Sequence, residues 1–156
     1  MSIFCVIQAG GTIDKNYLAD DRNHGYNFVI GESAWHRICH RAGVPYAVEF
    51  TCACQKDSLD MDDDNRNDIK RIAASAHEDK VVILHGTDTI HVTAKHLSDI
   101  TGKTIVLTGA MTPERFRESD ADFNVGMAVG AVQTLPPGVY IVLYGEVKRW
   151  DEYKPR

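Results

Sequence analysis

The sequence has no long hydrophobic run. Its longest apolar stretches are about six to eight residues, far short of the roughly 20 that a membrane span needs. It also lacks a polybasic segment. Its 17 Lys and Arg are scattered among 22 Asp and Glu, and the net charge is −5, which argues against nucleic acid or an acidic membrane as partner. The Met1-Ser2-Ile3-Phe4 start carries no basic residues and no cleavage site, so a cytoplasmic chain without a signal peptide is expected. Cysteine is sparse: Cys5, Cys39, Cys52 and Cys54, read as reduced thiols. His36, Cys39, His40 and the Cys52-Ala53-Cys54 pair fit no zinc-finger or ribbon spacing. On a strand, Cys52 and Cys54 would share one face, and buried free thiols with no metal are the expectation. The first glycine turn lacks both the third glycine of a dinucleotide fingerprint and the Gly-Lys-Ser/Thr of a phosphate loop. Phosphate binding is a poor fit and no cofactor is implied.

What is present is alternation. Five short Val- and Ile-rich runs are present, Ile3–Gln8, Ala47–Cys52, Val81–Leu84, Thr104–Leu107 and Val139–Tyr144, and most are apolar nearly throughout, as strands covered on both faces are. Four helix candidates lie between them. Glu32–Arg41 puts Trp35, Ile38 and Cys39 on one stripe, and Asp63–His77 does so with Ile69, Ile72, Ala73 and Ala76. Thr89–Ile100 carries Val92, His96, Leu97 and Ile100, and Asp120–Thr134 carries Phe123, Met127, Val129 and Ala131. The pattern predicts a single α/β domain over residues 1–156: a three-layer αβα, doubly wound, mainly parallel sheet of about five strands, Rossmann- or flavodoxin-like. The stretch from Ile13 to Gly31 is long and irregular, and a loop of that length in a compact domain is usually functional or mobile. The acidic run Asp62-Asp63-Asp64 reads as capping and dipole compensation at a helix start.

Ligands of such sheets bind beyond the carboxyl ends of the strands. Here those ends carry Gly10-Gly11-Thr12, Asp57-Ser58-Leu59-Asp60-Met61, His85-Gly86-Thr87-Asp88-Thr89, Thr108-Gly109-Ala110-Met111 and Tyr144-Gly145-Glu146. Gly10-Gly11 lets the backbone turn tightly and approach a ligand, with the Thr12 hydroxyl projecting into the crevice, although a plain turn reads the same way. Thr87 or Asp88 can serve as a helix N-cap. Three hydrogen-bonding side chains in a row exceed what a cap needs, however. A hydroxyl nucleophile requires a base and oxyanion donors, which a second threonine, an aspartate, a lysine and loop amides can supply. His85 is expected beneath the turn, held by a hydrogen bond to backbone.

Taken together, Gly10-Gly11-Thr12-Ile13, Ser58-x-Asp60-Met61, His85-Gly86-Thr87-Asp88-Thr89 and Thr108-Gly109-Ala110-Met111 resemble the bacterial-type L-asparaginase family, in the family's order. Tyr26-Asn27-Phe28-Val29-Ile30-Gly31 resembles the end of its mobile active-site loop, here residues 13–31. The match covers nearly the whole chain but only the family's larger N-terminal domain, as in short asparaginase-like proteins.

The resemblance implies roles. Thr12 matches the nucleophile and Tyr26 its loop partner, with Tyr17 as rival. Thr87 matches the second threonine, which works with a lysine: Lys154 is the nearest match and Lys148 the alternative. Asp88 matches the aspartate that grips the substrate amino group. Ser58 matches a residue binding the α-carboxylate, the Ala110 turn matches a neighbour of the reacting amide, and Gly11 is a further substrate-binding position. Leu59 stands where family members often carry Gln, and the lysine is displaced by about one residue. The expected activity is hydrolysis of a small linear amide, asparagine or a related one, through an acyl-enzyme. The partners expected are the small amide and further copies of the chain, as a dimer or tetramer that closes the site. The alternative is a non-catalytic binding or sensor module for an amino-acid-like ligand.

Overall fold

The structure, a computed structural model, describes residues 2–17 and 28–156. In chain order the elements are β1 (Cys5–Gly10), β2 (Lys15–Tyr17), β3 (Phe28–Ile30), α1 (Ala34–Ala42), β4 (Glu49–Lys56), α2 (Asp63–Ser75), β5 (Lys80–Leu84), α3 (Ile90–His96), β6 (Thr104–Thr108), α4 (Ala121–Thr134), β7 (Gly138–Leu143) and β8 (Glu146–Arg149). One six-stranded sheet runs in the order β4-β1-β5-β6-β7-β8. Its first five strands are parallel and β8 is antiparallel to β7.

Both faces of β1, β5, β6 and β7 are covered, which is why these strands read as apolar nearly throughout, whereas the edge strands β4 and β8 hold no buried residue. Val6, Val82, Val106 and Val142 point to one side, where they meet Trp35 and Ile38 of α1 and Val125 and Val132 of α4. Ile7, Ile83, Ile105 and Ile141 point to the other, against Ile69 of α2 and Ile90 of α3. The architecture is the expected three-layer αβα sandwich, doubly wound.

Local signals set the helix starts. The Ser33 side chain caps α1 by accepting from the Trp35 N–H (3.3 Å). Asp62 caps α2 in a reciprocal box with Asn65, the capping role expected of the acidic run. Two helix stripes differ from expectation. In α3 the buried residues are Ile90, Thr93 and Ala94, followed by Leu97, while Val92 is exposed. In α4 they include Ala121, Asn124, Val125 and Ala128, while Phe123 is 62% exposed. Small residues let α4 approach the sheet closely, so its largest side chain is left outside.

Three further expectations change. The 13–31 stretch is not wholly irregular: Lys15–Tyr17 pairs antiparallel with Phe28–Ile30, and the Tyr17 and Phe28 rings lie 5.0 Å apart. A sixth strand, β8, follows a two-residue hairpin turn, Tyr144-Gly145, in which both residues have positive φ. Asn-Gly is the usual sequence for such a turn, so Tyr-Gly gave little signal. Cys52 and Cys54 do not follow strict alternation. The register of β4 on β1 shifts there, Ala53 and Cys54 both pack toward the α2 side, and Cys52 is exposed. Among the described residues no helix is long and apolar enough to cross a membrane, and no group of three or more His, Cys, Asp or Glu is placed to hold a metal.

Candidate active site

β1 and β5 are neighbours in the sheet, yet the chain visits β4 on the far side of β1 between them. That is the topological switch point of a doubly wound sheet, where a crevice opens. The two Gly-Thr turns end these two strands. Gly11 has φ +86°, and a Cβ placed on it would stand 2.4 Å from both the Cα and the N of Gly86. A Cβ on Gly86 would stand 2.8 Å from the Ser58 Cβ and Oγ. The turns carrying Thr12 and Thr87, and the Ser58 turn beneath, are therefore pressed together backbone to backbone. Only glycine permits this approach at Gly11 and Gly86.

Thr12 opens a short 3-10 turn, Thr12–Asp14, and is half-buried. Thr87 is half-buried and Asp88 exposed. Neither Thr87 nor Asp88 caps α3. The N-cap is Thr89, whose side chain makes no cap bond and turns instead to the carbonyl of Ser58 (2.9 Å). Ser58 is 1% exposed, and its Oγ accepts the Thr89 N–H at 3.2 Å. Thr87 and Asp88 line a small cleft of about 70 Å³ with Met111, Tyr144, Tyr153, Pro155 and Arg156. Lys154 is exposed, and it is its neighbours that face this cleft. Lys148 sits on β8 opposite Ile141, down the edge of the sheet. Leu59 is 70% exposed. Tyr26 lies outside the described residues. Tyr17, its rival, packs against Phe28 and Phe116.

Some loop amides are already engaged. The Gly11 N–H donates to Lys56 O (2.9 Å), and the Met111 and Thr112 N–H groups donate to the Asp120 carboxylate at 3.0–3.1 Å. Ala110 itself is buried in the core on the α1 and α4 side.

Sequence reasoning missed four residues. Asp14 is 2% exposed. Its carboxylate accepts from Ala34 N–H (2.7 Å) and Gln8 Nε2 (3.0 Å), and its own carbonyl accepts from Gly31 N–H. It pins both ends of the 13–31 stretch, and burial pushes its pKa up to about 6. Glu114 is buried between Arg37 (2.6 Å) and Arg41 (2.7 Å), holding the segment after β6 against α1. Tyr144 reaches Met111 Sδ with its hydroxyl (3.5 Å) and lies under Arg156. Arg66 is 7% exposed, and its signal was legible: it falls on the stripe of α2 shared with Ile69 and Ala73.

His85 is fully buried, as expected. Its Nδ1 lies 2.7 Å from Gly86 O and its Nε2 2.7 Å from Thr93 Oγ1. Desolvation, followed by the nearby Arg66 charge, lowers its pKa to about 4, against the hydrogen bond to Gly86, which raises it. It is neutral at physiological pH.

The thermostable L-asparaginase from Thermococcus kodakarensis superposes with a TM-score of 0.78 at 26% identity, over 94% of this chain and 45% of that one. A probable cytoplasmic L-asparaginase from Campylobacter jejuni gives 0.73 at 26% identity, over 97% and 48%. Among curated proteins, a glutamyl-tRNA(Gln) amidotransferase subunit from Methanococcus vannielii is 42% identical over 69 residues, 43% of this chain and 16% of that protein. The subunit of the same name from Methanococcus maripaludis (strain C5) is 43% identical over 68 residues, 42% and 16%. The chain thus spans less than half the length of these solved structures, and its matched segment about a sixth of the curated relatives. Residues 4–152 match the family described as "Asparaginase, N-terminal", and with nearly its whole length covered the chain belongs to the asparaginase family.

Proposed function

We propose that the chain is an asparaginase-like amidohydrolase that hydrolyses a small linear amide, asparagine or a related compound, with Thr12 as nucleophile. The observation that carries this reading is the close contact of the Gly11 and Gly86 turns at the switch point. The Thr12 Oγ attacks the amide carbonyl carbon, the C–N bond breaks, and nitrogen leaves as ammonia with the hydroxyl proton. Water then adds to the threonyl ester, releasing the acid and restoring Thr12. Tyr26 activates Thr12 from the 13–31 active-site loop, Thr87 and Lys154 move protons, and Asp88 holds the substrate amino group. Ser58 offers its hydroxyl hydrogen to the α-carboxylate, and Gly11 and Ala110 bound the amide. Residues 1–156 act as one asparaginase N-terminal-like domain in the cytoplasm. Further copies, as a dimer or tetramer, close the crevice, because water left in an open site weakens every electrostatic contact there. The amidotransferase names of the Methanococcus relatives support both amide-nitrogen chemistry and assembly into a larger complex.

A second reading, binding of an amino-acid-like ligand without turnover, draws support from Leu59, which offers no hydrogen bond, and from the outward-facing Lys154. Ammonia release from a panel of small amides decides between the two. Hydrolysis lost in both Thr12→Ala and Thr87→Ala supports the first. Ligand binding with no ammonia from any amide moves the assignment to the second.

A further inference from the structure

Among the described residues, the proposed mechanism leaves the buried cation Arg66 unused. Arg66 projects from the first turns of α2 into the interior, and among the described residues the carboxylate within 4.0 Å of it is that of Asp63, whose side chain is 91% exposed. Its guanidinium is held by neutral oxygens instead. Nε donates to Thr93 Oγ1 (3.2 Å), one terminal nitrogen to Met61 O (3.2 Å) and the other to Thr89 Oγ1 (3.1 Å). A buried arginine without a buried acid is expensive to keep, so what it touches matters.

The direction of each hydrogen bond follows from the chemistry. A guanidinium only donates, so both threonine hydroxyls accept from it and are free to donate onward. Thr89 donates to the carbonyl of Ser58 (2.9 Å). Thr93 lies 2.7 Å from His85 Nε2. The other ring nitrogen, Nδ1, faces the carbonyl of Gly86 at 2.7 Å, and a carbonyl only accepts. The neutral ring of His85 must then carry its proton on Nδ1 and accept from Thr93 at Nε2. The Gly86 carbonyl fixes the tautomer, and Arg66, which only donates, holds the two threonine hydroxyls so that each points its proton onward along one of two chains. The first runs Arg66, Thr93, His85, Gly86 and ends one residue before Thr87. The second runs Arg66, Thr89, Ser58 and ends at the turn packed under Gly86.

We propose that Arg66 is a positioning residue for the Thr87 and Ser58 turns, acting through Thr93–His85 and through Thr89. The function as a site rests on the amidohydrolase reading; the tautomer of His85 does not. The planar fork of arginine bridges the Met61 carbonyl and two residues of α3's first turns at once, which a lysine ammonium on a single flexible stem cannot reproduce. Arg66 therefore acts through geometry as well as charge.

The test has two arms on the full chain. In the first, nitrogen-15 NMR of the imidazole reads the His85 ring directly. The expected wild-type result is a neutral ring protonated at Nδ1 with a hydrogen-bonded Nε2. Thr93→Val, nearly isosteric, moves the Nε2 shift off its hydrogen-bonded position, and Arg66→Met, which frees Thr93, moves it in part while the ring stays protonated at Nδ1. A wild-type ring protonated at Nε2, or nitrogen shifts unmoved in both variants, overturns the proposal whatever the protein hydrolyses. In the second arm, Arg66→Met lowers kcat by about 10- to 100-fold, the scale of misplaced reacting groups, with little change in KM. Arg66→Lys does not restore it. Unchanged kcat in a folded Arg66→Met protein, or full rescue by lysine, overturns the positioning role. Absence of ammonia release by the wild type sinks the hydrolase reading alone, and the NMR arm then decides the inference.

Discussion

Gly11 and Gly86 touch through their backbones at the point where the sheet reverses its winding. A methyl group on Gly11 would sit 2.4 Å from the Gly86 Cα, and Gly11 already holds φ +86°. This contact sets the turns that carry Thr12 and Thr87 side by side, although the small cleft there is lined by Thr87 and Asp88 and not by Thr12. Gly11→Ala is therefore expected to destabilise the fold by about 3 kcal/mol, from overpacking and left-handed strain together. Gly126 in α4 has nothing within 4 Å of its would-be Cβ, and Gly126→Ala should stabilise by about 0.5–1 kcal/mol. Urea denaturation of the two variants compares them directly. A Gly11→Ala protein as stable as wild type would mean that the turns do not meet.

His85 and Asp14 impose opposite pH dependences. Folding depresses the His85 pKa from 6.5 to about 4, so its contribution is full above about pH 6.5 and is lost as pH falls toward 4. Folding raises the Asp14 pKa from 3.8 to about 6, so stability is lost as pH rises from about 4 to 6, where the unfolded carboxyl ionises first. Each effect is on the order of 3 kcal/mol over its window. The two largely cancel in the wild type. Asp14→Asn should unmask stability that climbs between pH 4 and 6, whereas His85→Gln should unmask stability that declines there. Denaturation midpoints at four or five pH values test both, and parallel profiles for the two variants would contradict the assignment.

Tyr144 holds φ +56° at the β7–β8 turn, a conformation suited to asparagine or glycine. Tyr144→Asn should stabilise the protein by about 1 kcal/mol, read as a rise in Tm by calorimetry. A fall in Tm would show that the contacts of the ring to Met111 and Arg156 outweigh the backbone strain.

Glu114 sits between two guanidinium groups with its side chain 2% exposed, and its N–H also reaches the carbonyl of Ile13 at 3.2 Å. Glu114→Gln should cost about 3 kcal/mol, because Arg37 and Arg41 lose their shared buried carboxylate and keep only the exposed Glu32 and Asp122. A double-mutant cycle with Arg37→Met checks this. Additive losses would place the cost elsewhere.

The sequence by itself determined the layered α/β class, the five parallel strands and their approximate ends. Val and Ile runs too short for helices and apolar on both faces admit few other arrangements. It also determined which loops carry Thr12, Ser58, Thr87 and Asp88, since the strand ends follow from the strands, and it placed His85 beneath its turn. Tertiary structure alone decided the rest. Whether Val92 or Thr93, Phe123 or Val125 faces inward depended on how α3 and α4 lie on the sheet, which periodicity in short helices leaves open. β8 depended on a Tyr-Gly turn whose strain local preference argues against, and only pairing with β7 stabilises it. The contact of Gly11 with Gly86, the pinning of the 13–31 stretch by Asp14, and the two hydrogen-bond chains from Arg66 join residues between roughly 20 and 75 positions apart. No local pattern encodes such pairings, because they form only after the sheet has brought distant strand ends side by side.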